Sequence, residues 1–261
     1  MASTLAALGF VGAFIAGLLG VGGAIIMIPL LLYVPGWSGL GALDMKVVAA
    51  ISMVQVFFAA ISGAVAHGVR GTVHRALAVT AGASAAVGSL LGGVSSRWVP
   101  SWALLLTFAL MATLGAVLMW VAPPEGEPDG STKANGLILS RPFAVLVGFS
   151  VGTMAGLVGA GGAFLLVPLL ITVLKVPTRI TIGSSLAITI WTAAAGFLGK
   201  LVTGQIPLGP AVALVLGAVP GAQLGEWASR RVRIQTLRGL LTTLTALVAV
   251  RIWIDVVARL R

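Results

Sequence analysis

The chain has no cysteine, which excludes disulfides, thiolate metal sites and thiol redox chemistry. It has two histidines and six acidic residues, three of the acids in one loop, so a metal centre or a hydrolytic carboxylate pair lacks its usual groups. Charge is scarce as well. Asp, Glu, Lys and Arg make up 8% of the residues, against about a quarter in a soluble domain. With 59% hydrophobic residues and a mean hydropathy of +1.12, such a chain cannot cover itself with polar surface.

What is present is a series of apolar runs, at 5–33, 47–66, 76–94, 101–122, 142–173, 180–199, 207–227 and 237–257. Each is long enough to cross a bilayer, which takes roughly 20 residues. The runs are continuous rather than alternating, so they predict helices and not barrel strands. The first lacks a basic leader and a polar gap, and reads as a span rather than a cleaved signal. The formal charge of +10 is scattered over the short loops, where it acts as a topology signal and not as a nucleic-acid face. An all-α polytopic membrane protein follows.

The polar stretch Pro123 to Gly136 divides two similar halves: an N-terminal repeat at 1–122, a linker at 123–141 and a C-terminal repeat at 142–261. "GLLGVGGAIIMIPLLL" from Gly17 to Leu32 returns as "GLVGAGGAFLLVPLLI" from Gly156 to Ile171. At the same spacing Gly9 matches Gly148. After a shorter loop a second constant spacing pairs Ser52 with Ser185, Gly63 with Gly196, His67 with Lys200, Gly88 with Gly221 and Gly92 with Gly225. Constant spacing over three spans marks an internal duplication.

Loop charge predicts how the halves face each other. If each glycine-rich segment crosses fully, basic residues divide seven to eight between the two sides. If each dips in and returns, one side collects ten and the other five. Only the second arrangement obeys the positive-inside rule, and it makes the repeats inverted, with both termini outside.

Glycine weakens a helix by about 1 kcal/mol relative to alanine, so Gly20, Gly22 and Gly23, and their matches Gly159, Gly161 and Gly162, predict a break in each half. A broken backbone survives at membrane depth only where protein buries it or a wet cavity bathes it. The helix restarting after each break, near Ala24 and Ala163, presents amides without intrahelical partners, and these with the dipole suit an anion. The expected cradles are therefore Gly22, Gly23 and Ala24, and Gly161, Gly162 and Ala163. Gly88, Gly92, Gly221 and Gly225 read as packing glycines.

Among polar residues within spans, Ser52 and Gln55 share one helical face, as do Ser185 and Thr189. Hydrogen bonding between helices is the ordinary role of a single serine, but Ser52 and Ser185 are equivalent under the repeat. Gln55 and Gln223 are costly to bury, which favours a place in the pathway. Ser184 completes this set. His67 and Lys200 lie near span ends, where a long basic side chain snorkels to the interface or draws anions to a mouth. Glu226 and His67 are the only carboxylate or imidazole candidates for ion coupling.

The motif G-x-x-G-x-G-G-x-x-x-x-x-P in both halves, with a serine-bearing second helix that ends in glycine and a basic residue, resembles the TauE/SafE family of sulfite and organosulfonate exporters. The resemblance runs from about Gly9 to Trp253. It implies a bacterial or archaeal inner-membrane carrier of small sulfur-containing or organic anions. The family's G-T/S-S-L stands as Gly183-Ser184-Ser185-Leu186, but its first-half counterpart has drifted to Ala50-Ile51-Ser52-Met53, so the halves contribute unequally. The expected partners are a small anion and the lipid bilayer, with no cofactor and no nucleic acid, and a homodimer stays open. A passive anion pathway and a membrane scaffold are the competing readings, and a scaffold has no need of two buried backbone breaks.

Overall fold

Apolar sequence becomes helix almost throughout the computed structural model, which describes residues 2–19, 24–37, 39, 41–67, 75–121, 141–173, 178–229, 231–232 and 234–260. The helices are α1 (Ala2–Leu19), α2 (Ala24–Trp37), α3 (Met45–His67), α4 (Arg75–Ser95), α5 (Ser101–Val121), α6 (Arg141–Val158), α7 (Ala163–Thr172), α8 (Thr178–Val202), α9 (Leu208–Ser229) and α10 (Ile234–Leu260). Eight of the ten are long and apolar enough to cross a membrane, and α2 and α7 are the short ones. This is a multi-pass membrane protein. The runs read as single segments at 5–33 and 142–173 are each two helices, divided around the glycine clusters.

Close helix contacts are built on glycine. Gly9 and Gly17 of α1 face the carbonyls of Leu214 and Ala222 on α9, while Gly217, Gly221 and Gly225 of α9 face Ala6, Phe10 and Phe14. Any added Cβ would overlap a backbone oxygen. The same relation joins α4 to α6, where Gly148, Gly152 and Gly156 face Ala81, Ala85 and Ser89, and Gly88 and Gly92 face Phe149 and Thr153. Lipid gives two apolar helices no hydrophobic reason to associate, so close backbone approach and the dispersion it gains must supply the attraction. In both pairs the residue numbers rise together, so α1 runs parallel to α9 and α4 parallel to α6.

These contacts exchange under the repeat. Gly9 on Leu214 corresponds to Gly148 on Ala81, Gly221 on Phe10 to Gly88 on Phe149, and Gly225 on Phe14 to Gly92 on Thr153. The halves are therefore interleaved: the first helix of each packs on the fourth helix of the other. α4 also runs parallel to α8, with Gly82 beside Ile188 and Trp191, Gly93 against Gly196 and Gly199 against Leu90. α5 and α10 meet at a seam where Trp253 Nε1 donates to Thr113 Oγ1 at 2.9 Å. Trp253 is thus half-buried between helices, whereas Trp98, Trp102 and Trp120 are exposed, as interface anchors are.

Candidate functional site

α6 ends because Gly159, at φ 79°, takes a left-handed cap that most side chains resist. Its amide and that of Ala160 both donate to Ala155 O, at 2.8 and 2.9 Å. Gly161 and Gly162 stay left-handed, at φ 64° and 82°, and α7 restarts at Ala163 with no side-chain cap. Gly162 lies against Val151 and Ala155, so the chain turns back towards α6. In the first half Gly12 of α1 meets Met27 and Leu30 of α2, so α2 likewise doubles back along α1.

A break strands hydrogen-bonding groups on both of its sides, and the two sides are treated differently. Carbonyls are satisfied by distant side chains: Ser52 Oγ donates to Gly159 O at 3.0 Å, and Lys200 Nζ to Leu157 O at 3.2 Å. The amides of Gly161, Gly162, Ala163 and Phe164 donate no hydrogen bond among the described residues, although all four residues are buried. Buried amides are rarely left so. Free amides in succession at a helix N-terminus are suited to an anion.

The break sits at the centre of the molecule. A Cβ on Gly161 would meet Val56 of α3 and, at 3.4 Å, Thr189 of α8. Val56 and Thr189 are equivalent under the repeat, and each lies eleven residues into its helix. At 1.5 Å per residue that is about 16 Å, near the middle of a ~30 Å hydrocarbon core. α3 and α8 cross there, with Phe57 stacked on Phe197 at a centroid distance of 5.5 Å.

Gln55, next to Val56 on α3, is fully buried, and neither Nε2 nor Oε1 has a hydrogen-bond partner among the described residues. An amide buried without partners costs roughly 1–3 kcal/mol or more, so it persists where something else repays it. Ser184 and Ser185 are fully buried on α8, and Thr189 Oγ1 bonds back to Ser185 O at 2.7 Å. Ala24 is fully buried at the start of α2. Gly22 and Gly23 fall outside the described residues, as does the side chain of His67.

Three expectations need correction or relocation. Gln223 is exposed on α9, in a row with Val212, Leu216 and Trp227, and does not reach the break; its repeat equivalent Leu90 is exposed too. Lys200 does not snorkel. It is fully buried, donating to Ser96 Oγ at 2.8 Å as well as to Leu157 O. Glu226 is buried near the end of α9, its backbone beside Gly17 of α1 rather than beside Gly161.

Sequence reasoning passed over several groups. Ser89 is fully buried, its Oγ without a hydrogen-bond partner among the described residues. Gln205 bonds Ser96 and Gly93 beside Lys200, and Arg251 with Asp255 and Tyr33 joins α10 to α2. Only Ser96 carried a usable signal, through its match to Ser229 in the repeat. Among the described residues no cluster of His, Cys, Asp or Glu could hold a metal ion. An apolar groove of about 630 Å³ along α10, lined by Trp253, Ile254 and Val257, shares no residue with the break.

The sulfite exporter TauE/SafE family model matches residues 5–252. A probable membrane transporter protein of Xylella fastidiosa is 29% identical over 98% of this chain and 94% of its own length. The probable membrane transporter protein YdhB of Bacillus subtilis is 27% identical over 83% of this chain and 85% of its own. No solved structure matches the chain.

Proposed function

The chain belongs to the TauE/SafE sulfite exporter family of membrane transporters, and from that premise we propose that it carries a small sulfur oxyanion or sulfonate across the plasma membrane by alternating access. One observation carries this reading: four successive buried amides at the start of α7, at about mid-membrane depth, that donate to nothing among the described residues. Such donors cost free energy until an anion accepts from them, and the α7 dipole favours negative charge at that end. Gln55 supplies a further donor and acceptor in the same region, and Ser52, Ser184 and Ser185 support the walls. Sulfite and sulfonates present three oxygens on one centre, a shape that suits a row of amides.

Inverted repeats are supported by the helix directions. α4 runs with α8, and α8 and α9 are successive spans that must run oppositely, so α4 opposes its equivalent α9. The same reasoning opposes α1 to α6. An axis relating such halves lies in the membrane plane, near Val56 and Thr189, and exchanging their tilts exposes the break to each side in turn. Loop charge favours a cytoplasmic 228–236 segment, with outward transport as the working direction.

The test is a thermal-stability titration of the purified protein with sulfite, ethanesulfonate and chloride. Stability should rise with the logarithm of sulfite or sulfonate concentration, as it does for any ligand that binds only the folded state. Absence of a saturable shift with every anion, in monodisperse protein, would overturn the reading.

A further inference from the structure

Lys200 is a basic side chain in the interior with no acidic partner among the described residues. Its side chain is fully buried, and its partners are the neutral Ser96 Oγ and Leu157 O. No carboxylate among the described residues pairs with it. Ser96 and Gln205 extend the neutral network: the single Ser96 hydroxyl hydrogen is within reach of Gly93 O at 2.7 Å or Gln205 Oε1 at 2.8 Å, and Gln205 Nε2 donates to Gly93 O at 2.9 Å. A buried charge is ordinarily paired, because desolvation costs several kcal/mol per ion. The C-terminal dipole of α6, felt through Leu157 O, offsets part of that cost.

The position of this charge matters. Leu157 lies two residues before Gly159, so Lys200 holds the C-terminal lip of the same break whose other lip is the amide row at α7. Both lips present hydrogen-bond donors, Lys200 Nζ on one and the amides on the other. We propose that Lys200 is the counter-charge for the transported anion, the residue that makes the site select an anion over a neutral molecule of the same shape. The inference rests on the anion-carrier reading and adds the specificity-determining residue that the amides cannot supply, since amides also bind neutral oxygens. His67, its repeat equivalent, shows that the counterpart in the other half is a different side chain.

The experiment compares two ligands on two variants. Ethanesulfonate keeps its charge at all working pH values, and dimethyl sulfone offers similar oxygens without charge. Lys200→Gln retains a donor for Leu157 O while removing the charge, and Lys200→Arg restores it. Affinity for ethanesulfonate should fall about ten- to a hundredfold in Lys200→Gln, the scale of a lost charge-assisted bond, with weak sulfone binding unchanged. Lys200→Arg should recover most of the loss. Equal affinity of wild type and Lys200→Gln for ethanesulfonate would overturn the counter-charge role, as would parallel loss of both ligands, which marks a purely structural cap. If Lys200→Gln does not fold, Lys200→Arg decides: weak ethanesulfonate binding with intact sulfone binding would also overturn the role. Failure of wild type to bind any sulfur oxyanion instead defeats the carrier reading itself.

Discussion

The two halves share a backbone plan but not a chemistry. Gly9 on Leu214 and Gly148 on Ala81 are the same contact made twice, and so are Gly92 on Thr153 and Gly225 on Phe14. At the crossing of α3 and α8, however, Gln55 stands opposite Ile188 in the repeat, and Val56 opposite Thr189. Lys200 in α8 answers to His67 in α3. The group in which Tyr33 OH donates to Asp255 at 2.6 Å while Arg251 bonds the same carboxylate has Thr172, Ala122 and Leu118 as its equivalents, which cannot reproduce it. After duplication, then, most glycine-to-carbonyl contacts of these two helix pairs stay matched, because each must hold its pair at one separation; Gly152 and Gly217, which answer to Ala13 and Ser84, are the exceptions. Polar residues diverge instead: Gln55 answers to Ile188, and Lys200 to His67.

The sharpest way to break this comparison is to attack the shared scaffold. Gly92→Leu and Gly225→Leu each push a side chain into a facing backbone carbonyl, and overpacking of this kind costs 1–3 kcal/mol or more. Both variants should lose thermal stability or monodisperse yield to a similar extent. A mild effect at one and collapse at the other would show that the halves are mechanically unequal.

Gly161→Val comes next. It imposes a β-branched residue at φ 64° and drives it into Val56, so ethanesulfonate binding should be lost even where folded protein is recovered. Normal affinity in folded Gly161→Val protein would remove the amide row from the site.

Gln55→Leu tests the asymmetric side chemistry, and two readouts should move in opposite directions. Removing an unpartnered buried amide should leave thermal stability unchanged or raise it, while anion affinity falls about tenfold, the worth of one hydrogen bond to a charged ligand. Ile188→Leu, at the equivalent place, should change neither. Loss of stability in Gln55→Leu with unaltered affinity would return Gln55 to a packing role.

Smaller effects are expected further out. Ser52→Ala deprives Gly159 O of its donor and should lower stability by about 1 kcal/mol, with a modest loss of affinity as the break loosens. Tyr33→Phe removes the hydroxyl donor to Asp255 and should cost less than that in thermal stability, with anion binding intact, since this group belongs to the α2–α10 contact. An equal loss of affinity in Tyr33→Phe and Gln55→Leu would erase the distinction between them.

Composition alone settled the membrane environment, because 8% charge leaves no soluble surface. Segment lengths located the spans to within a few residues, and the spacing of glycines exposed both the duplication and the breaks. These are local properties: a helix in lipid follows from its own residues, and three clustered glycines weaken it wherever it packs. Which face of a span turns inward was not readable in this way. Most of these helices are apolar on every side, so hydrophobic pattern does not separate the lipid face from the buried one. Rotation about each axis is decided by glycine contacts with helices more than a hundred residues away in places, such as Gly9 with Leu214. That is why Gln55 and Gln223, alike in sequence, end respectively buried without partners and exposed to the surroundings. It is also why Lys200, two residues from the end of its helix, does not turn outward but is buried against the carbonyl of Leu157, which became available only because Gly159 ends α6 two residues later.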